Sequence, residues 1–217
     1  NKIIKGEIMN KKMIIGIIAV ILVALIIAIP QYESYQSTLL SENFNKTLQN
    51  ASAVETEIAS TTNQINQQNS TDADTLIHTI NNQITPKYSE ELLRLNETKT
   101  NTNNDTEKQY IDLQMKRVQL ESKNLNATVT LLNALSQYVK GEKTALDAQN
   151  TINQASTDNA QSSTELNQVY NDIKTFLDQN PDLNKKLHDL NLDSAYYGQL
   201  EKQNIANNTN TQANVTQ

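Results

Sequence analysis

The chain contains no cysteine and no tryptophan, and only two phenylalanines, two histidines, three prolines and four glycines among 217 residues. Each scarcity excludes something. Without Cys there is no disulfide, no thiolate nucleophile and no cysteine-ligated metal, and the redox compartment leaves no trace in the sequence. Aromatic residues make up 5% and hydrophobic residues 37%, too little bulk for a wide globular core. Paired helices need less, because a narrow apolar seam is enough to join them. The shortage of Gly and Pro disfavours β-rich, turn-dense folds. It also leaves little from which to build a phosphate-cradling or oxyanion loop, and no P-loop, dinucleotide fingerprint or nucleophile elbow occurs.

Asn and Gln together account for nearly a quarter of the chain. A tract that polar is compatible with disorder, but the apolar positions keep a helical period, which argues for helix. Net charge is −6, and it is unevenly spread. Lys2, Lys5, Lys11 and Lys12 lie near the start, opposed there only by Glu7. From Gln31 onward fourteen Lys and Arg face twenty-three Asp and Glu. An acidic domain without a basic stripe carries no electrostatic footprint for nucleic acid.

Met13 to Ile29 reads MIIGIIAVILVALIIAI, seventeen residues without a charge or a hydrogen-bonding side chain. As a helix this spans roughly 26 Å at about 1.5 Å per residue, the short end of what crosses a bilayer. The run is longer than the apolar region of most signal peptides and has no small-residue cleavage pattern, so a retained anchor is favoured over a cleaved signal; cleavage would make the protein secreted. Lys11 and Lys12 on one flank, against Glu33 and Glu42 on the other, put residues 1–12 in the cytoplasm and the rest outside. Tyr32 and Tyr35 suit the lipid–water interface. The tripeptide Lys5-Gly6-Glu7 ahead of Met9 is what an in-frame ribosome-binding stretch encodes, so residues 1–8 read as an over-extended frame with translation starting at Met9.

Beyond Pro30 the pattern predicts an all-α domain over 31–206 and a flexible polar tail over 207–217. The first segment, about Gln31–Gln68, has a seam of Phe44, Leu48, Ala51, Ile58 and Ile65, with Glu55 and Thr62 in register. Thr71-Asp72-Ala73-Asp74 matches a capping box. The second segment carries Ala73, Ile77, Ile80, Ile84, Tyr88, Leu92 and Leu95, and Pro86 is expected to kink it or restart it with Thr85 as cap. In the third, Ile111, Met115, Val118, Ser122, Leu125, Val129, Leu132, Ser136 and Val139 alternate steps of four and three, while Leu113, Leu120, Leu131 and Leu135 widen the stripe toward a second partner. The fourth repeats the pattern from Ala145 through Ile152, Ala155, Ser162, Leu166, Val169 and Ile173 to Phe176, with a small, polar middle. If Gly141 is a turn, the four segments form an elongated up-down antiparallel four-helix bundle. If it lies inside a helix, the domain is a three-helix or long coiled-coil structure. Asn180-Pro181 ends the fourth segment, and short helices are expected near Asp182–Leu190 and Ser194–Ile205. Tyr196 and Tyr197 read as a packing lid on the bundle end.

Candidate chemistry is thin. His78 and His188 lack the carboxylate or second His at helical spacing that a metal site needs. Glu90-Glu91 and the Asp72/Asp74 pair sit beside helix starts, where acids favour the helix dipole. No catalytic, cofactor-binding or metal-ligating set is expected, and the chain reads as a non-enzyme. Eight Asn-x-Ser/Thr sequons occur; Asn69, Asn96 and Asn104 fall at or near expected loops, where a glycan fits. Modification there implies an archaeal or eukaryotic exterior, and the prokaryotic gene features favour the former.

One anchor followed by a helical bundle resembles the ligand-sensing ectodomains of bacterial and archaeal chemoreceptors. The likeness is architectural and rests on no motif. It also departs from that pattern, because such receptors carry a second membrane segment and a cytoplasmic output domain. The reading is therefore a single-pass envelope protein whose helical domain serves as a spacer or interaction module, with the bilayer and a protein partner, or a second copy, as its contacts. The alternative is a ligand-sensing bundle acting with a partner subunit, its pocket near Ala155–Ser163.

Overall fold

A computed structural model describes residues 42–67 and 72–192, and among them every regular element is helical. The apolar run 13–29, its flanks Lys11, Lys12, Tyr32 and Tyr35, the sequon Asn69, and the region of Ser194–Ile205 with Tyr196 and Tyr197 lie outside the described residues. Among those described, no helix is long and apolar enough to cross a membrane.

Helix α1 spans Glu42–Gln67, α2 Ala73–Thr79, α3 Thr85–Thr100, α4 Asp105–Val139, α5 Ala145–Gln179 and α6 Pro181–Asp189. A π-helical turn over Ile80–Ile84 joins α2 to α3, so 73–100 is one rod with a widened turn. Pro86 in the first turn of α3 explains the widening. Its ring has no N–H to donate and would collide with the carbonyl four residues back in a regular helix. The chain loosens by a residue upstream instead of breaking. Thr85 is therefore not a side-chain cap; Ile84 precedes α3 and makes no cap bond.

Capping residues decide the remaining boundaries. Asp72, not Thr71, starts α2 by accepting from Thr75 N at 3.1 Å. Asn104 starts α4, its Oδ1 accepting from Thr106 N at 2.9 Å and Glu107 N at 3.3 Å. Thr144 starts α5 by accepting from Asp147 N. Gly141 has φ +75° and is a turn. Gly141 N donates to Tyr138 O, and Glu142 N to Gln137 O at 2.8 Å, the paired bonds of a left-handed helix stop. Asn191, at φ 55°, ends α6 in the same way, with Leu192 N donating to Leu187 O at 2.8 Å. That turn carries Leu192 back into the core.

Because Gly141 reverses the chain, α5 returns along α4 instead of extending it, and the long coiled-coil alternative does not hold. Successive rods run antiparallel. Asp74 meets Ser136 and Lys140 at one end of the α2–α3/α4 pair, and Lys99 meets Asp112 toward the other. Lys87 of α3 pairs with Glu57 of α1 at 2.6 Å. Glu121 and Asn124 of α4 meet Tyr170 and Ser163 of α5. The result is a bundle-like helical array with α6 folded across one end.

The core follows the sequence periodicity. Phe44, Ile80, Ile84, Ile111, Val118, Leu125, Leu132, Val169, Ile173 and Leu177 are essentially fully buried. Leu131, Ala134 and Leu135 form a smaller cluster with Ile152 and Ala155, where α4 and α5 pair near their shared turn. The third-segment seam departs from expectation at its end, where Val139 is 68% exposed beside the turn. In the stretch Ala155–Ser163, Ala155 and Ser162 are buried, Asn159 and Ser163 are half-buried and the rest is exposed, with Asn124 Nδ2 3.4 Å from Ser163 Oγ.

Candidate functional site

The most unusual chemistry in the molecule is a charged cluster inside the helical array. Arg117, on α4, is fully buried and is among the largest enclosed side chains. Its Nε donates to Gln114 Oε1 at 2.9 Å, one turn earlier. Nη1 donates to both carboxylate oxygens of Glu121 at 2.9 Å, one turn later. Nη1 also pairs with Glu55 Oε1 of α1 at 3.0 Å, and Nη2 donates to Glu91 Oε1 of α3 at 2.6 Å. From α5, Tyr170 donates its hydroxyl to Glu121 Oε1 at 2.8 Å. One guanidinium thus gathers carboxyls from three helices, and Tyr170 ties in a fourth helix. The planar fork of Arg suits this role, since it offers donors in several directions from one group.

Charge does not balance within the cluster. Three carboxyls surround Arg117, and the side chains of all four groups are at most 6% exposed. Burial holds the Glu91 carboxyl well above the usual carboxylate range, although Arg117 pulls the other way. Burial also raises Glu121 against the same pull. The hydroxyls of Tyr88 and Tyr170 are pushed up by burial and by the nearby carboxylates. Beside the cluster lies a cavity of about 10 Å³, walled by Glu55, Glu91, Gln114 and Ser52 and by apolar residues including Leu48 and Leu192.

A second polar contact closes the end of the array. Lys186 of α6 reaches Glu107 Oε1 of α4 at 2.6 Å, with Nζ 4.2 Å above the ring of Phe44 in α1. Thr102 donates to the other Glu107 oxygen. A groove of about 360 Å³ opens alongside, between the start of α4 and the α5–α6 junction, edged by Asn104, Gln179, Asp182 and Lys186.

The residues singled out in the sequence fall elsewhere. Asn96 is exposed on α3. Asn104 is exposed, and its side-chain oxygen is engaged as the cap of α4. His78 is exposed on α2, its Nδ1 3.0 Å from Asn82 Nδ2, and His188 is exposed on α6. Among the described residues, no three His, Asp or Glu side chains are arranged to hold a metal ion. Neither Glu90 nor Glu91 lies in the first turn of α3, so the reading of the two as a dipole-favoured pair at a helix start does not hold. Glu90 faces solvent with Lys87 and Arg94, whereas Glu91 is turned inward to Arg117. Asp74 is held below its usual range by hydrogen bonds from Lys140 and Ser136, tying the start of α2 to the end of α4.

Nothing in the sequence marks Arg117 or Glu121 as buried, and Glu91 stands out only as an acid near a helix start, because polar residues beside an apolar seam normally mark the solvent face. Glu55 did carry a signal, since it stands in register with the seam of the first segment. The chain matches no protein-family model, and no match is found among curated proteins or solved structures.

Proposed function

We propose that this chain is a membrane-anchored protein holding its helical domain outside the cytoplasm, where the domain serves as a spacer or interaction module rather than an enzyme. The observation that carries the reading is the uncharged run Met13–Ile29, flanked by Lys11 and Lys12 and followed by a long acidic helical region. The distribution of polar groups supports it. The buried charges of Arg117, Glu55, Glu91 and Glu121, and of Lys186 and Glu107, are used to join helices. A 35-residue helix such as α4 extends roughly 52 Å at about 1.5 Å per residue, a suitable reach for a spacer standing off a bilayer.

The test is fractionation with protease protection. In intact cells, added protease is expected to digest residues after 31 while the anchor stays with the membrane. Crosslinking in native membranes is then expected to capture a partner chain or a second copy. Recovery of the full-length chain in the soluble fraction, inaccessible to external protease, would overturn the reading.

A further inference from the structure

Burying three carboxyls around one guanidinium invites a simple count. If all three were ionised, two negative charges would stand uncompensated in a region shielded from water. Removing a charge from water without a partner costs several kcal/mol per ion, and the usual remedy is for one group to take up a proton. Between Glu121 and Glu91 the geometry says which group. Both oxygens of Glu121 accept from Arg117, and one accepts also from Tyr170, so the ionised form is well served. Glu91 differs. Its Oε1 accepts from Arg117, but its Oε2 is buried and receives no hydrogen bond from the protein. The Nε2 of Gln114 is likewise buried and donates to no protein group, because Oε1 of that amide is held by Arg117.

Both residues line the cavity of about 10 Å³, room for roughly one water molecule. A bare cation does not suit the space, because Gln114, whose buried Nε2 N–H has no protein acceptor, is among its lining residues. A water suits it, accepting from Gln114 Nε2 and from a protonated Glu91 Oε2 and donating toward the remaining carboxylate. Glu55 from α1, Glu91 from α3 and Tyr110 from α4 line this cavity, and Tyr88 of α3, Arg117 and Glu121 of α4 and Tyr170 of α5 belong to the same charged cluster.

We propose that the cluster is a proton-binding site: Glu91 carries a proton on Oε2 at neutral pH, directed into the water-sized cavity, and losing it weakens the union of α1 with α3. Deprotonation leaves Glu55 and Glu91 as like charges across that interface, sharing one guanidinium. The direction of the pH effect follows. Glu91 and Glu121 hold their protons more tightly when folded than when unfolded. Stability is then fullest below the unfolded carboxylate range, near 4.5, and is lost as pH rises through the folded values. This is the reverse of the usual salt-bridged carboxylate.

Two measurements on the full chain test the proposal. In denaturant titrations between pH 5 and 9, the unfolding constant of the wild type is expected to rise with pH, by up to about tenfold per pH unit for each proton released. Glu91→Gln mimics the protonated acid and is expected to flatten that rise and to unfold later than wild type at the alkaline end. Infrared spectra are expected to show a protonated-carboxyl carbonyl band in wild type at neutral pH that Glu91→Gln removes. A wild type lacking that band, a band that persists in Glu91→Gln, or equal pH slopes for the two proteins would overturn it. A wild-type spectrum without the band overturns the proposal even if the variant does not fold.

Discussion

Lys186 Nζ lies 2.6 Å from Glu107 Oε1, 79 positions earlier in the chain, and this pair fastens the short helix α6 to the start of α4. A helix of nine residues is not stable alone in water. Its side of the contact is supplied by Leu183, Leu187 and the Lys186 stem, while the ammonium rests over Phe44 and reaches an almost fully buried carboxyl. Lys186→Met preserves the apolar stem but leaves Glu107 without its cation. The expected loss is about 3–5 kcal/mol, the range for breaking a buried pair from one side. Adding Glu107→Gln to that variant is expected to restore much of the stability. A double variant no more stable than Lys186→Met would show that the pair is not what holds α6, and denaturant unfolding followed by circular dichroism reads both.

The same logic applied to Arg117 gives a ranking. Arg117→Met leaves Glu55, Glu91 and Glu121 with no shared cation and is expected to cost about 3–5 kcal/mol or to prevent folding. Tyr170→Phe removes a single donor to Glu121, and a loss of about 1–3 kcal/mol is expected. Equilibrium unfolding of the two variants checks the order; a tyrosine variant as damaged as the arginine one would contradict it.

At the α4–α5 turn the backbone decides the outcome. A Cβ at position 141 would meet nothing within 4 Å, so space is not the obstacle. The φ of +75° is. Gly141→Ala is expected to lower stability by about 1–2 kcal/mol, and Gly141→Asn by less, because Asn tolerates the left-handed region. Thermal unfolding in which the Ala and Asn variants behave alike would remove this explanation.

The sequons separate by exposure. Asn96 is open on α3, whereas Asn45 is only 9% exposed and cannot carry a sugar in the folded chain. Asn104 is a subtler case. Its cap function uses Oδ1, while a glycan attaches to Nδ2, so capping and modification are compatible. Asn104→Ala is expected to cost about 1 kcal/mol through the lost cap, and Asn96→Ala to stay within about 0.5 kcal/mol. If the protein is glycosylated, peptide mass spectrometry is expected to find sugar at Asn96 and none at Asn45. A modified Asn45 would show that the sugar is added before this helix packs.

Much of the fold could be read along the chain. Ile111, Val118, Leu125 and Leu132 recur at the period of a helix face, and they are buried as that period requires. Glu55 and Thr62 stand in the apolar register of the first segment, and both are buried there. Periodicity and the Asn180-Pro181 stop depend on residues within a few turns of one another, so among the described residues the sequence by itself determined the helical class and most of the apolar inward positions. It also determined the uncharged run 13–29, a property of composition that needs no tertiary structure. Whether Gly141 reversed the chain rested on a left-handed backbone angle that two other residue types also tolerate, and only the packing of α5 against α4 settled it. The cluster around Arg117 belongs wholly to the tertiary structure. An arginine or glutamate beside a seam is ordinarily solvated, and burying it becomes tolerable only when side chains from distant helices arrive to satisfy it. Glu55, Glu91, Glu121 and Tyr170 do so from four helices, an arrangement that no local pattern encodes.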